Sequence, residues 1–420
     1  MSNAPQRSVV WMYSGQGSQF FAMGQELYEQ EPIFRETFVE LSEYARRWTG
    51  ESIVNIVYKY PGNRFEPFER TLFTHPALFA VQYAMDRTLR HYGYSPDFVL
   101  GYSLGEFVAL TVSGVLSWQD ALYALLHHAQ TLERQPVAGR MMTVLASPDL
   151  FAELEVRFPG VELAAVNTPG HFVVSGLEQL INQAQKWLAD QMIDVILLPV
   201  TQAFHSSALE FADSSLRRLL ESFPLGEIRT PIISAERATI LYRLADGISW
   251  RMTRGVIQFQ RALGILEALG SKLYVDLGPS GTLASFVRQN LGHGADSEAI
   301  AIMTPFAQDR KNLAVAKEKL PGVSLNRTLS PKNLVMTSDE IFAIVKSVIL
   351  TILPDLDPAE IQSHRTLTEL GANSIDRLDI TMNTLEALQL HVPMVEFADV
   401  SNLQGLVDVL QRCLAERPRS

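Results

Sequence analysis

A serine on a tight turn is the first candidate for chemistry in this chain. Gly101-Tyr102-Ser103-Leu104-Gly105-Glu106 follows the short apolar run Phe98-Val99-Leu100 and precedes a stretch, Phe107 to Val115, that reads as a helix. Strand, Gly-x-Ser-x-Gly turn and helix together expose a serine hydroxyl as a nucleophile. Glycines two before and two after keep the neighbouring backbone from clashing. The helix start leaves the Leu104 N–H free to meet a developing oxyanion. An inert serine on a glycine-rich turn would carry the same letters. A nucleophilic serine also needs a base, and the chain has nine histidines. The residues alone do not select one. His205, in Gln202-Ala203-Phe204-His205-Ser206-Ser207, follows a strand-like run ending at Val200. A base there could reach another loop, but a histidine satisfied at the surface or in the core fits as well.

A second serine stands at another helix start, in Leu370-Gly371-Ala372-Asn373-Ser374-Ile375-Asp376. An exposed serine there can be reached by a modifying enzyme, and the helix dipole favours an added phosphate. A plain N-cap serine is the other reading. The loop Ser14-Gly15-Gln16-Gly17-Ser18-Gln19 leaves the apolar run Val9 to Tyr13. No lysine follows it at the spacing a phosphate-cradling loop requires.

Strands alternating with helices must position these groups. Strand, turn and helix return at Leu273 to Leu277 and Gly278-Pro279-Ser280-Gly281, which indicates an α/β body with a mainly parallel sheet. Helical spacing is also read after the first loop, through Phe21 and Leu27. About residues 138–202 the pattern changes. Met142 to Leu145, Leu163 to Val166, Phe172 to Gly176 and Val195 to Leu198 are four short strands with helical runs between them, a small α+β subdomain. Residues 321–336 read as a linker. Beyond it, Ile341, Ile344, Val345, Val348, Ile349 and Ile352 form a helical stripe, a second helix begins near Ser374 and a last one runs from about Leu403 to Leu414. The expected organisation is a body over 1–320, the linker, and a helical bundle over 337–420.

Charge separates the two parts. Thr337 to Glu416 holds thirteen acidic and four basic side chains, a net of −9 out of −11 for the whole chain. A small acidic module on a near-neutral body suits docking on basic protein surfaces and argues against nucleic-acid binding. A merely solvated acidic face would look the same. No apolar run of about 18 residues exists, so no membrane span is expected. The start, Met1 to Arg7, lacks the layout of a secretory signal. The single cysteine, Cys413, can form neither an internal disulfide nor a cysteine cluster. No metal site is expected, and a cytoplasmic location fits.

The loops at Ser14–Gln19, Gly101–Glu106 and Ala203–Ser206 stand in the order seen in malonyl-CoA:acyl-carrier-protein transacylases and polyketide synthase acyltransferases, and the chain resembles that family. Asn167-Thr168-Pro169 and Leu277-Gly278-Pro279-Ser280-Gly281 fit the same pattern. The resemblance spans roughly residues 8–315. It implies an α/β-hydrolase-like core with a small ferredoxin-like subdomain. It also implies a ping-pong reaction on acyl thioesters of coenzyme A or carrier proteins. Ser103 is then the nucleophile and His205 the base, oriented by a backbone carbonyl near Met252. The Gln16 and Leu104 N–H groups form the oxyanion hole, and Tyr102, Phe204 and His128 line the substrate site.

Two departures bear on substrate. Tyr102 stands where the family usually has histidine. His128 stands where malonyl-type members place an arginine that pairs with the substrate carboxylate. Histidine, largely neutral at pH 7, cannot make that bidentate pair. It could equally be a packed helix residue. The Tyr13-Ser14-Gly15-Gln16 opening and Ser280-Gly281-Thr282-Leu283-Ala284 also resemble a branch acting as acyl hydrolases in trans-acyltransferase polyketide pathways. The acidic bundle resembles a four-helix acyl carrier protein with 4'-phosphopantetheine on Ser374. Its Gly-Ala-Asn-Ser-Ile-Asp-Arg run is similar to donor carriers of β-branching cassettes. This implies polyketide synthase modules and β-branching enzymes as partners, with Asp376, Asp379 and Glu386 on a docking face. Acyl hydrolysis is the favoured expectation. The alternatives are malonyl or acetyl loading of the chain's own carrier, and a non-catalytic docking scaffold.

Overall fold

The computed structural model describes residues 7–64, 66–134, 138–244, 248, 250–292, 294–321, 338–353, 356–388, 390, 392, 394–397, 400 and 402–415. The expected linker falls, apart from residue 321, outside them. The described residues divide into a large unit within 1–263 and 271–324 and a small one within 264–270 and 325–420.

Strand β1 (Ser8–Tyr13) comes first, followed by helices α1 (Gln25–Gln30), α2 (Pro32–Thr49), α3 (Ile53–Tyr58) and α4 (Thr71–His91). β2 (Phe98–Gly101) leads into α5 (Gly105–Val112) and α6 (Trp118–Arg134). Then come β3 (Gly139–Val144), α7 (Phe151–Arg157), β4 (Glu162–Thr168), β5 (His171–Leu177), α8 (Glu178–Asp190) and β6 (Val195–Leu197). After these run α9 (Glu210–Ser222), β7 (Ile232–Ser234), β8 (Thr239–Leu241), α10 (Phe259–Ala268), β9 (Lys272–Asp276), α11 (Thr282–Asn290), β10 (Glu298–Ala301) and α12 (Asp309–Lys319).

Two sheets result. Six strands lie in the order β10-β9-β1-β2-β7-β8, parallel except for β8 at the edge. Val9 to Tyr13 is wholly buried, as a continuous apolar run in the middle of a parallel sheet must be. Phe34, Phe38, Phe79 and Phe107 pack around it. The second sheet, β4-β5-β3-β6, is antiparallel. With α7 and α8 it makes the β-α-β-β-α-β succession of a ferredoxin-like unit. Alternate residues Met142, Val144, Phe172 and Val174 face its helices.

The helical spacing read through Phe21 does not yield a helix there. Gly17, Ala22 and Gly24 adopt left-handed φ of 98°, 71° for Gly24 and 62° for Ala22, so the chain turns until α1 begins at Gln25. Phe20 and Phe21 are buried from those turns.

The small unit holds α13 (Ser338–Ile352), α14 (Ser374–Ala387) and α15 (Leu403–Ala415), with short 3₁₀ turns at Pro358–Glu360 and Met394–Phe397. Ile341, Val345 and Ile349, four apart, bury one face of α13. Ile380 and Leu385 of α14 and Leu403, Val407 and Leu410 of α15 are also buried.

Candidate active site

Parallel pairing of β1 with β2 sets Tyr13 opposite Gly101, so both chains leave the sheet side by side. The crevice beyond the carboxyl ends of parallel strands is where such sheets hold ligands. The Tyr102 N–H donates to Tyr13 O at 2.9 Å, continuing the pairing into the turn. No side chain fits this approach. A Cβ on Gly105 would stand 2.0 Å from Tyr13 O, and one on Gly15 would stand 2.8 Å from Ser103 Cβ. Ser103 itself takes a left-handed φ of 56°, strain of about 1–3 kcal/mol that the surrounding contacts must offset.

Ser103 Oγ lies 2.7 Å from His205 Nε2. His205 Nδ1 lies 2.7 Å from Gly255 O. A carbonyl only accepts, so Nδ1 carries the proton, Nε2 is the acceptor and Ser103 is the donor. His205 also has a left-handed φ, 59°. Its loop passes so close to β3 that a Cβ on Gly139 would stand 2.4 Å from Ala203 N. Burial pushes the His205 imidazole down to about 4, against a lift from its bond to Gly255, so it is neutral at pH 7. The orienting carbonyl is three residues past Met252, where the resemblance put it. The 3₁₀ turn Trp250–Thr253 buries the Met252 side chain, and the Gly255 N–H closes that turn on Arg251 O.

The backbone N–H groups of Leu104 and Gln16 find no acceptor among the described residues. Leu104 immediately precedes α5, so the helix dipole adds to its donor. The Gln16 side chain turns away, its Nε2 donating to Thr74 Oγ1 at 2.8 Å.

His128 sits on α6, 4% exposed. Burial first, then His127 and His205, push its imidazole down to about 4. Its ring meets that of His75 edge-on at 5.9 Å, and His75 lies 5.8 Å from the buried Phe204. His75, from α4, stands in no sequence motif that would mark it as part of the site. Tyr102 donates its hydroxyl to Asn167 Oδ1 at 3.0 Å, and its ring faces Phe259 and Phe286. The phenol thus ties the nucleophile turn to the end of β4, and burial raises its pKa.

Glu106, which follows Gly105 in the serine turn and was assigned no role from the sequence, accepts from Ser234 Oγ and the Glu236 N–H. Burial pushes its carboxyl up to about 7. Glu236 accepts from Arg251 Nε at 3.0 Å and packs against Gly255, where a Cβ would stand 2.8 Å from Glu236 Oε1. A buried carboxylate therefore braces the loop that holds His205.

Ser374 is the first residue of α14, and its side chain lies outside the described residues. Asn373 and Asp376 close that helix start reciprocally. The Asn373 N–H donates to Asp376 Oδ2 at 2.9 Å, and the Asp376 N–H donates to Asn373 Oδ1 at 3.0 Å. Such a fixed start with a dipole suits a serine-borne phosphate.

Residues 10–324 match the acyl transferase domain family, and residues 343–410 match the phosphopantetheine attachment site. The chain is 38% identical over 306 residues to the polyketide biosynthesis acyltransferase homolog PksD of Bacillus subtilis (strain 168), covering 73% of this chain and 94% of that one. It is 36% identical over 313 residues to the homolog BaeD of Bacillus velezensis, covering 74% and 96%. A solved acyltransferase domain, from the second module of the salinomycin polyketide synthase, superposes with a TM-score of 0.66 at 30% identity, covering 74% of this chain and 72% of that one.

Proposed function

Because the chain belongs to the acyl transferase domain family and carries a phosphopantetheine attachment site behind that domain, we propose that it removes acyl groups from carrier-protein thioesters of a polyketide assembly line by way of an acyl-serine. The observation that carries this reading is the Ser103–His205–Gly255 chain, with contacts of 2.7 Å at both steps. Ser103 Oγ attacks the thioester carbonyl and passes its proton to His205 Nε2. The Gln16 and Leu104 N–H groups receive the oxyanion. As the carbonyl re-forms, the C–S bond breaks and His205 returns the proton to the leaving sulfur. Water then attacks the acyl-serine carbonyl, His205 takes its proton, and the C–Oγ bond breaks with the proton returned to Ser103. The products are a free acid and a cleared carrier thiol.

Neutral His128 favours hydrolysis of uncharged acyl groups over malonyl loading. A buried imidazole held near 4 offers no permanent cation to a substrate carboxylate. In this reading Tyr102, Phe204 and His128 would line the acyl pocket. Ser374 would hold the phosphopantetheine arm, which supplies a thiol that carries acyl groups as thioesters. The acidic bundle around it would dock on polyketide synthase modules and, by its Gly-Ala-Asn-Ser-Ile-Asp-Arg run, on β-branching enzymes of the cytoplasm. Among the described residues no helix is long and apolar enough to cross a membrane.

The tethered carrier favours one second reading, transfer from coenzyme A to Ser374 of the same chain. Intact-protein mass spectrometry separates the two. The pantetheinylated chain is offered acetyl, malonyl and hexanoyl groups on coenzyme A and on a separate carrier. A transient Ser103 adduct with free acid accumulating is expected. A stable acetyl or malonyl group moving from Ser103 to Ser374 would establish self-loading. Ser103→Ala should lower turnover by about 10⁴-fold or more and leave pantetheinylation intact. Retained turnover in that variant would refute the mechanism.

A further inference from the structure

The loop that carries Gln16 is held from outside by a polar stripe on α4. Thr74, Leu78, Gln82, Asp86 and Arg90 recur at intervals of four and so follow one ridge that runs obliquely along the helix. They meet the end of β1 and its loop in order. Arg90 lies over the Trp11 ring, and its Nε donates to Asp86 Oδ2 at 2.7 Å. The Tyr13 hydroxyl donates to Asp86 Oδ1 at 2.8 Å. The Ser14 N–H donates to Gln82 Oε1 at 2.6 Å, and Gln82 Nε2 donates back to Ser14 O at 3.0 Å and to Leu78 O at 3.1 Å. Gln16 Nε2 donates to Thr74 Oγ1. Gln82 is wholly buried in an otherwise apolar stretch, so its two-way bond to one peptide is the reason a polar residue is tolerated there. Ser14 has left the sheet, and the Gln82 amide takes the place of a neighbouring strand. Two residues on, Gln16 follows Gly15, which abuts Ser103.

We propose that Gln82, supported by Thr74, is a positioning residue that fixes where the Gln16 N–H stands relative to Ser103 Oγ. This rests on the reading of that N–H as an oxyanion donor. Gln82 touches no reacting atom and acts through the Ser14 peptide.

Gln82→Glu tests it in the full-length chain. Glutamate has the same shape. Protonated, it can both accept from the Ser14 N–H and donate to Ser14 O. Ionised, it sets a charged oxygen against Ser14 O and Leu78 O. Burial raises the pKa of such a carboxyl. The ionisable groups around that position are Tyr13 of β1 and Asp86 and Arg90 of α4, already bonded to one another. The rate of Ser103 acylation by S-acetyl- and S-hexanoyl-N-acetylcysteamine is measured by quenched-flow mass spectrometry from pH 5.5 to 8.5. The wild type should be level across that range. The variant should be slower by about 10- to 100-fold at pH 8, with KM unmoved, and should recover to within about threefold at pH 5.5. A variant as fast as wild type at pH 8, or one equally slow at every pH, overturns the proposal. If Gln82→Glu does not fold, Thr74→Val decides. A lower acylation rate at unchanged KM supports positioning, and an unchanged rate overturns it. A wild type that forms no Ser103 adduct would instead refute the acyl-serine reading itself.

Discussion

His205 is oriented by a peptide carbonyl, which fixes the ring but offers no full negative charge to the imidazolium formed during reaction. Burial then leaves the imidazole at about 4. The neutral, proton-accepting form therefore persists well below the ordinary histidine range. The kcat/KM profile should stay level down to about pH 5 and fall near pH 4, where an exposed base would lose activity near 6.5. Stability has the same sign. The unfolded chain binds the proton first, so His205 and His128 cost stability as pH falls from about 6.5 through 4. Melting curves over that interval would check it. His128→Arg puts a permanent cation beside His205 and His75. It should raise malonyl use relative to acetyl in competition assays and move the His205 limb to still lower pH. An unchanged acetyl-to-malonyl ratio would mean that Phe204 and the pocket shape decide.

The elements set the tolerances within which those residues act. Gly105→Ala would drive a methyl group into the Tyr13 carbonyl, so β1 and α5 must part. A loss of about 1–3 kcal/mol in urea melts, with loss of the Ser103 adduct, is expected. Glu106 titrates the other way from the histidines. Its folded carboxyl holds its proton up to about 7, so it costs stability as pH rises from the ordinary carboxylate range to 7. Glu106→Gln should gain most over wild type at pH 8 and little at pH 5, read by melting temperature. Much of this level could be read from the letters. The short strand-like runs such as Met142–Leu145 and Phe172–Gly176, with helical runs between them, announced the small sheet, and the glycines around Ser103 announced the turn. The Gly255 carbonyl could not be read, because a peptide oxygen belongs to every residue and only tertiary structure aims one. Gln82 had a weak signal, a lone amide in Ala80-Val81-Gln82-Tyr83-Ala84, but its partner lies 68 positions away. Phe21 was misread because an apolar pair on a left-handed turn is buried as well as one on a helix.

At the scale of the molecule, a near-neutral catalytic unit and an acidic carrier unit share one chain. The charge step read near residue 337 falls between the two family matches, 10–324 and 343–410, and the helix expected near Ser374 begins there. If the two sites are chemically independent until an arm joins them, Ser374→Ala should abolish pantetheinylation while leaving the Ser103 adduct with acetyl-CoA unchanged. Mass spectrometry of the intact variant checks both. The sheet order carries a further consequence. Strand β1 is an inner one, with β2 on one side and β9, more than 250 residues later, on the other. During synthesis β1 stays half-paired until Lys272–Asp276 has left the ribosome, and the Gly255 carbonyl that aligns His205 emerges only shortly before. A nascent chain exposing Ser103 thus lacks the carbonyl that orients His205, and the acyltransferase unit completes its central sheet only once this long-range strand pairing has closed.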